Sequence, residues 1–256
     1  MGPALAAFPP TRDCCRSLRR INPRPHLSND EAMTTPWPVP IGDDVLLYGG
    51  TFDPPHRAHA EVAAAARDAA VPAAWLVYVP AARNPLKRSG PIATGAQRVE
   101  MLDLATTDIQ RVGVWTDEID RVEALGEPAY WIDTLRRARS LIGRKVALRF
   151  LIGADQAVSF HRWREARSIL ELAEPLVMPR DAVLEEQDLA EGLRATDAWE
   201  PGEIEAWCRR LVRIAPMAAS STDARRGVLE HVSPSVRNYA LRAGLYQDGA
   251  SDGVAR

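Results

Sequence analysis

The segment Gly49 to His59 reads GGTFDPPHRAH and gathers residue types suited to holding an anion. Two adjacent glycines let a backbone approach a ligand closely and take dihedrals denied to other residues. Amides in such a turn, and at the start of a helix after it, can point at negative charge with the helix dipole behind them. Pro54 and Pro55 stiffen the turn. His56 and His59 stand three apart where a helix would begin, so both imidazoles can face one phosphate chain. Taken singly these signals are weak, because HxxH is commonly a surface or capping pair and a glycine pair after a strand is commonplace. A strand, a glycine turn and a second histidine opening a helix, all in one run, are far more specific. The segment is not a P-loop, since no Gly-Lys-Ser/Thr follows, and it is not the GxGxxG dinucleotide fingerprint.

Such a turn needs a sheet to carry it. Val45 to Tyr48 is a short apolar run ending in Gly49-Gly50, as a buried parallel strand would be. The alanine-rich stretch Ala58 to Ala70 favours a helix, because alanine loses no side-chain entropy there. Trp75 to Val79, stopped by Pro80, repeats the strand character, as do Val112 to Trp115, Val146 to Ile152, Leu176 to Met178 and Leu211 to Ile214. Helical spacing is read over Gly95 to Ala105, Tyr130 to Leu141, Thr222 to His231 and Pro234 to Ala243, with Gly244 placed to cap the last. The acidic stretch Arg180 to Arg210 interrupts the alternation as an inserted helical excursion or long loop. Strands alternating with helices imply right-handed crossovers and an α/β, Rossmann-like, doubly wound parallel sheet. In such sheets ligands bind at the carboxyl ends of strands, where Gly49 to His59 falls.

Composition agrees with this class. In 256 residues, 46% are apolar and 26% charged, which is ordinary for a globular enzyme with one domain and extensions. A formal net charge of −2 argues against general nucleic-acid binding. Three cysteines, with Cys14 and Cys15 adjacent, make neither a disulfide framework nor a zinc site. They favour a reducing, cytoplasmic setting. No apolar run reaches the roughly 20 residues that span a bilayer, so no membrane association is expected. Residues 1–42 read as a disordered N-terminal extension, with Met33 as an alternative start, and residues 247–256 as a flexible tail. The domain proper is 43–246, with the inserted segment at about 181–210.

The first segment resembles that of the HxGH nucleotidyltransferases, and within them GGTFDPPHRAH looks like the opening motif of the nicotinate-nucleotide adenylyltransferases. Later segments extend the resemblance in the right order. They are Asn84-Pro85-Leu86-Lys87, Gln97-Arg98 through Leu102, Tyr130 to Leu135, Ile152-Gly153-Ala154-Asp155 up to Trp163, and Ser220 to Arg225. The resemblance implies the α/β/α nucleotidyltransferase fold and a step of NAD biosynthesis. The 5′-phosphate of nicotinate mononucleotide attacks the α-phosphate of ATP, giving deamido-NAD and pyrophosphate. Phosphoryl transfer of this kind needs positioning and charge neutralisation more than a covalent nucleophile.

By resemblance, Gly49, Gly50, Thr51, Phe52, His56 and His59 belong to the ATP side, and so do Ser220, Ser221, Thr222 and Arg225. His56, His59 and Arg225 carry the catalytic role, steadying charge at the α-phosphate and on the leaving pyrophosphate. Lys87 meets the mononucleotide phosphate, Trp163 stacks on the pyridine ring, and Asp155 reaches a ribose hydroxyl. Tyr130, Trp131 and Arg164 complete the acceptor side. Mg²⁺ comes with the ATP phosphates, and no protein metal ligands are expected.

The chain departs from the family pattern in several places. Ala58 stands where HxGH has glycine, and its methyl would crowd the adenosine. Trp131 replaces a usual threonine, yet recognition of the nicotinate carboxylate by backbone amides survives a side-chain change. Arg164 replaces an aromatic, and a cation there favours the acid over the amide. The insertion after Arg180 either covers the site or mediates association into a homo-oligomer. Two rivals remain: an adenylyltransferase for nicotinamide mononucleotide or another small molecule, and a non-catalytic nucleotide sensor. Retention of His56, His59, Lys87 and Arg225 speaks against the sensor. Histidine rather than threonine at position 56 speaks against a phosphopantetheine enzyme.

Overall fold

A computed structural model describes residues 35–82, 90–126, 128–179, 185–214 and 231–246. Its centre is an all-parallel sheet of β1 (Val45–Gly50), β2 (Trp75–Pro80), β3 (Val112–Val114), β4 (Leu148–Gly153) and β5 (Glu174–Met178). The order β3-β2-β1-β4-β5 runs one way from β1 and then the other. β1 therefore pairs with β2 and with β4, Val45 lying beside Trp75 and Leu148. The point where the order reverses lies between the ends of β1 and β4, the place such sheets reserve for ligands. Both faces of β1 are buried, which explains its unbroken apolar run.

Helices cover both faces. The alanine stretch opens with a π-helical turn, Ala58–Val62, before α1 (Ala63–Ala70). The helix α2 (Gly95–Thr106) starts at a capping box between Thr94 and Gln97. Then come α3 (Asp117–Leu125) and α4 (Trp131–Ile142), the latter burying Ile132, Leu135, Ala138 and Ile142 on one stripe. Two short helices follow, α5 (Ala154–Val158) and α6 (Ala166–Leu172), the first running into a 3₁₀ turn at Phe160–Arg162. The acidic excursion holds α7 (Glu186–Arg194) and α8 (Pro201–Cys208). Last is α9 (Pro234–Arg242), capped by Ser233 and closed by Gly244 at φ 67°.

Two sequence expectations need correction, and one helix is new. Leu211 to Ile214 is not a strand: Leu211 makes one parallel bridge to Val177, and the Val212 amide donates to the Val177 carbonyl at 2.8 Å. The helix α3 was not among the expected elements; its buried face carries Asp117 and Glu118 beside Ile119. The end of the N-terminal extension is packed rather than loose. Val39 is buried in the core, and Trp37 meets Trp115 edge to face at 4.9 Å. The Thr35 hydroxyl donates to Asp120 at 2.8 Å. Residues before 35, all but the last residue of the helix expected over Thr222 to His231, and the tail lie outside the described residues.

Candidate active site at the sheet switch point

The phosphate-binding turn is built from β1 outward. Neither Gly49 nor Gly50 takes a positive φ; Phe52 does, at 49°. The glycines instead make room. A Cβ on Gly49 would lie 2.7 Å from the Trp131 ring, and one on Gly50 would lie 2.8 Å from the Phe52 ring. Phe52 is fully buried among Tyr48, His59 and Tyr78, so its side chain belongs to the core and only its backbone can serve a ligand. His56 and His59 stack face to face, centroids 3.6 Å apart and 19° from parallel. The His56 amide donates to Nδ1 of His59 at 3.2 Å. A neutral His59 ring so held carries its hydrogen on Nε2, the donor form a phosphate oxygen needs. The next turn is wide, since the chain enters its helix through the π turn that contains His59, and Tyr78 Oη donates to the His59 carbonyl at 2.8 Å.

Two residues of the turn's neighbourhood hold it in place, and motif reading passed over what they do. Arg98, 1% exposed, donates to the carbonyls of Thr51 at 2.8 Å and Ala81 at 2.6 Å. One guanidinium thus ties the turn after β1 to the segment after β2. Burial lowers its pKa, with the Asp53 charge opposing that effect. Asp53 accepts from the amides of Ile92 and Ala93 at 2.8 and 3.0 Å and from Tyr246 Oη at 2.5 Å. No hydrophobic period flags either residue.

Beside the turn lies a cavity of about 500 Å³. Gly49, Gly50 and Thr51 line it from the end of β1 and the turn after it, Leu151 and Ile152 from β4. Tyr130 and Trp131 come from the start of α4, and Trp163 and Arg164 follow the 3₁₀ turn. Segments more than a hundred residues apart in sequence meet at the switch point. The Arg164 guanidinium sits 4.5 Å over the Tyr130 ring, and Trp163 leans on Phe160 at 4.9 Å. No side chain caps α4 at Tyr130, which with Trp131 lines this end of the cavity. His56, His59 and Asp155 are not in the cavity wall; Asp155 is exposed in the first turn of α5. Lys87, Ser220, Ser221, Thr222 and Arg225 lie outside the described residues.

The wall also holds groups that the sequence did not advertise, Glu118 and Arg162 among them. Glu118 is 6% exposed and accepts from the Thr134 hydroxyl at 2.8 Å. Burial pushes its carboxyl up to about 7, against the lowering effects of Thr134 and Arg121. Next to it, Asp117 is fully buried and held by Arg121 at 3.1 Å and Arg137 at 2.7 Å. Among the described residues, no three His, Cys, Asp or Glu gather as a metal cage, and no helix is long and apolar enough to cross a membrane.

Known proteins share both the sequence pattern and the fold. Residues 47–227 match the family described as cytidylyltransferase-like. A protein of Stenotrophomonas maltophilia (strain K279a) named as a probable nicotinate-nucleotide adenylyltransferase is 32% identical over 216 residues, spanning 79% of this chain and 96% of its own length. A protein of the same name from Salinispora tropica is 32% identical over 205 residues, spanning 78% of this chain and 99% of its own. Among solved structures, nicotinic acid mononucleotide adenylyltransferase from Plasmodium falciparum, complexed with NaAD, superposes with a TM-score of 0.58 at 16% identity. That match covers 79% of this chain and 97% of the other, and at such identity it speaks for the fold.

Proposed function

The chain belongs to the cytidylyltransferase-like family and, within it, to the nicotinate-nucleotide adenylyltransferases, and on that premise we propose that it joins ATP and nicotinate mononucleotide into deamido-NAD and pyrophosphate. The observation that carries the reading is the shared cavity at the switch point, where the glycine turn of β1 meets the Tyr130, Trp131, Trp163 and Arg164 wall. One side is suited to a phosphate chain, the other to an aromatic ring with an anionic substituent.

In the reaction, a 5′-phosphate oxygen of the mononucleotide bonds to the α-phosphorus of ATP as the bond to pyrophosphate breaks. The stacked pair His56 and His59 lies against the turn, with His59 in its Nε2–H form able to donate to phosphate oxygens as charge builds. Ser220, Ser221, Thr222 and Arg225 serve the β- and γ-phosphates, and Lys87 serves the acceptor phosphate. Mg²⁺ enters as part of the ATP substrate rather than as a resident of the protein. Trp163 offers the ring a stacking face, while Arg164 and the first amides of α4 favour a carboxylate on it. Asp155 serves a ribose hydroxyl. The setting is the cytoplasm, where NAD synthesis draws on ATP.

The test is pyrophosphate release from MgATP with each mononucleotide. Release should be faster with the nicotinate form. Equal or faster release with the nicotinamide form would reassign the acceptor, and no release with either would leave a nucleotide sensor.

A further inference from the structure

Glu118 is the one carboxyl in the described wall of the cavity, and it sits between the acceptor-side elements. It lies in the first turn of α3, and Thr134, one turn into α4, donates to it at 2.8 Å. The same α4 presents Tyr130 and Trp131 to the cavity. Glu118 therefore lines the same cavity as the Tyr130 and Trp131 wall to which the acceptor ring is assigned. Two negative charges in one cavity of this size repel each other.

We infer that Glu118 is a specificity-determining residue that reads the charge of the acceptor's ring substituent, admitting a carboxylate in its neutral form and an amide in its ionised form. This rests on the acceptor assignment made above. A neutral carboxyl presents an O–H that a ring carboxylate can accept, whereas an ionised one can only accept, as from an amide N–H. The surroundings leave both forms within reach. Burial pushes the carboxyl up to about 7, so it changes charge near neutrality. Facing it are Asp117 and Arg121 from its own helix, Arg98 from α2 and Thr134 from α4. Asp117 is itself tied to Arg121 and to Arg137 of α4. Arg162 and Arg164 share the cavity wall with Glu118.

The inference is tested by kcat/KM for each mononucleotide at saturating MgATP between pH 6 and 8. The phosphate is common to both acceptors and the histidines serve both, so their titrations cancel in the ratio. The acid-to-amide ratio should fall about tenfold as pH rises, as one like-charge repulsion predicts. Glu118→Gln should hold the ratio flat. Thr134→Val removes a hydrogen bond that favours the ionised form, so it should move the inflection to higher pH; this variant and the wild-type profile keep the test decisive if Glu118→Gln does not fold. A flat wild-type ratio, or an inflection unchanged in Glu118→Gln or in Thr134→Val, would overturn the inference alone. Absence of turnover with either mononucleotide would overturn the functional reading and this inference together.

Discussion

Gly49 and Trp131 fit together only because the glycine carries no side chain. The glycine looked like an allowance for ligand approach, and the structure shows it yielding space to an indole ring 82 positions later. A methyl group at Gly49 would meet Trp131 at 2.7 Å, and that ring also packs edge to face against Phe150 at 6.2 Å. Gly49→Ala should cost about 1–3 kcal/mol, the usual range for overpacking. It should also raise the mononucleotide KM by displacing the Trp131 wall. Trp131→Thr opens the space, so the double variant should recover stability relative to the sum of the singles. Denaturant titration of the four proteins reads the coupling, and strict additivity would show that the two residues do not conflict. Trp131, a departure from the family pattern, and Gly49, a hallmark of it, thus form one contact.

At the scale of elements, the turn after β1 is held by its neighbours as much as by its own residues. Arg98 reaches from α2 to carbonyls on both sides of the switch, at Thr51 and Ala81. Arg98→Met keeps the stem but abandons those acceptors in a buried place, which costs about 1–3 kcal/mol for each unsatisfied group. ATP affinity should weaken with it, because the turn loses its tie to β2. A thermal shift with no change in ATP KM would restrict Arg98 to stability. The five strands and the helices α1, α2, α4 and α9 were legible in the sequence because apolar runs and alanine content report directly on burial and propensity. The helix α3 was illegible for the opposite reason: its buried face is made affordable by Arg121, Arg137 and Thr134, partners scattered along the chain. The same holds for the cavity. Trp163 and the glycine turn stand out by type and order, whereas Glu118 is one acid among many until the fold brings it to the wall.

Over the whole molecule, distant segments converge behind the acceptor wall. The excursion that interrupts the strand–helix alternation does not stand apart: Leu189, Leu193, Trp199 and Trp207 are buried in the main core cluster. Trp207 meets Phe160 edge to face at 5.1 Å, Trp199 meets Trp207 at 5.6 Å, and Phe160 in turn supports Trp163 at 4.9 Å. The excursion is therefore a buttress beneath the stacking residue, a role that composition gave no means of seeing. On the opposite flank, Tyr246 donates to Asp53 of the phosphate turn, 193 residues away. The two halves of the site thus rest on different supports and can be weakened separately. Trp207→Phe keeps the pocket apolar but shortens the contact with Phe160. It should lower stability by about 1–3 kcal/mol, as a partial core truncation does. It should also raise the mononucleotide KM severalfold, because Trp163 loses its backing, while the ATP KM stays within twofold because the turn is held from Asp53 and Arg98. Steady-state titration of each substrate separates these effects. A parallel rise in both constants would mean that the buttress stabilises the molecule without favouring the acceptor side.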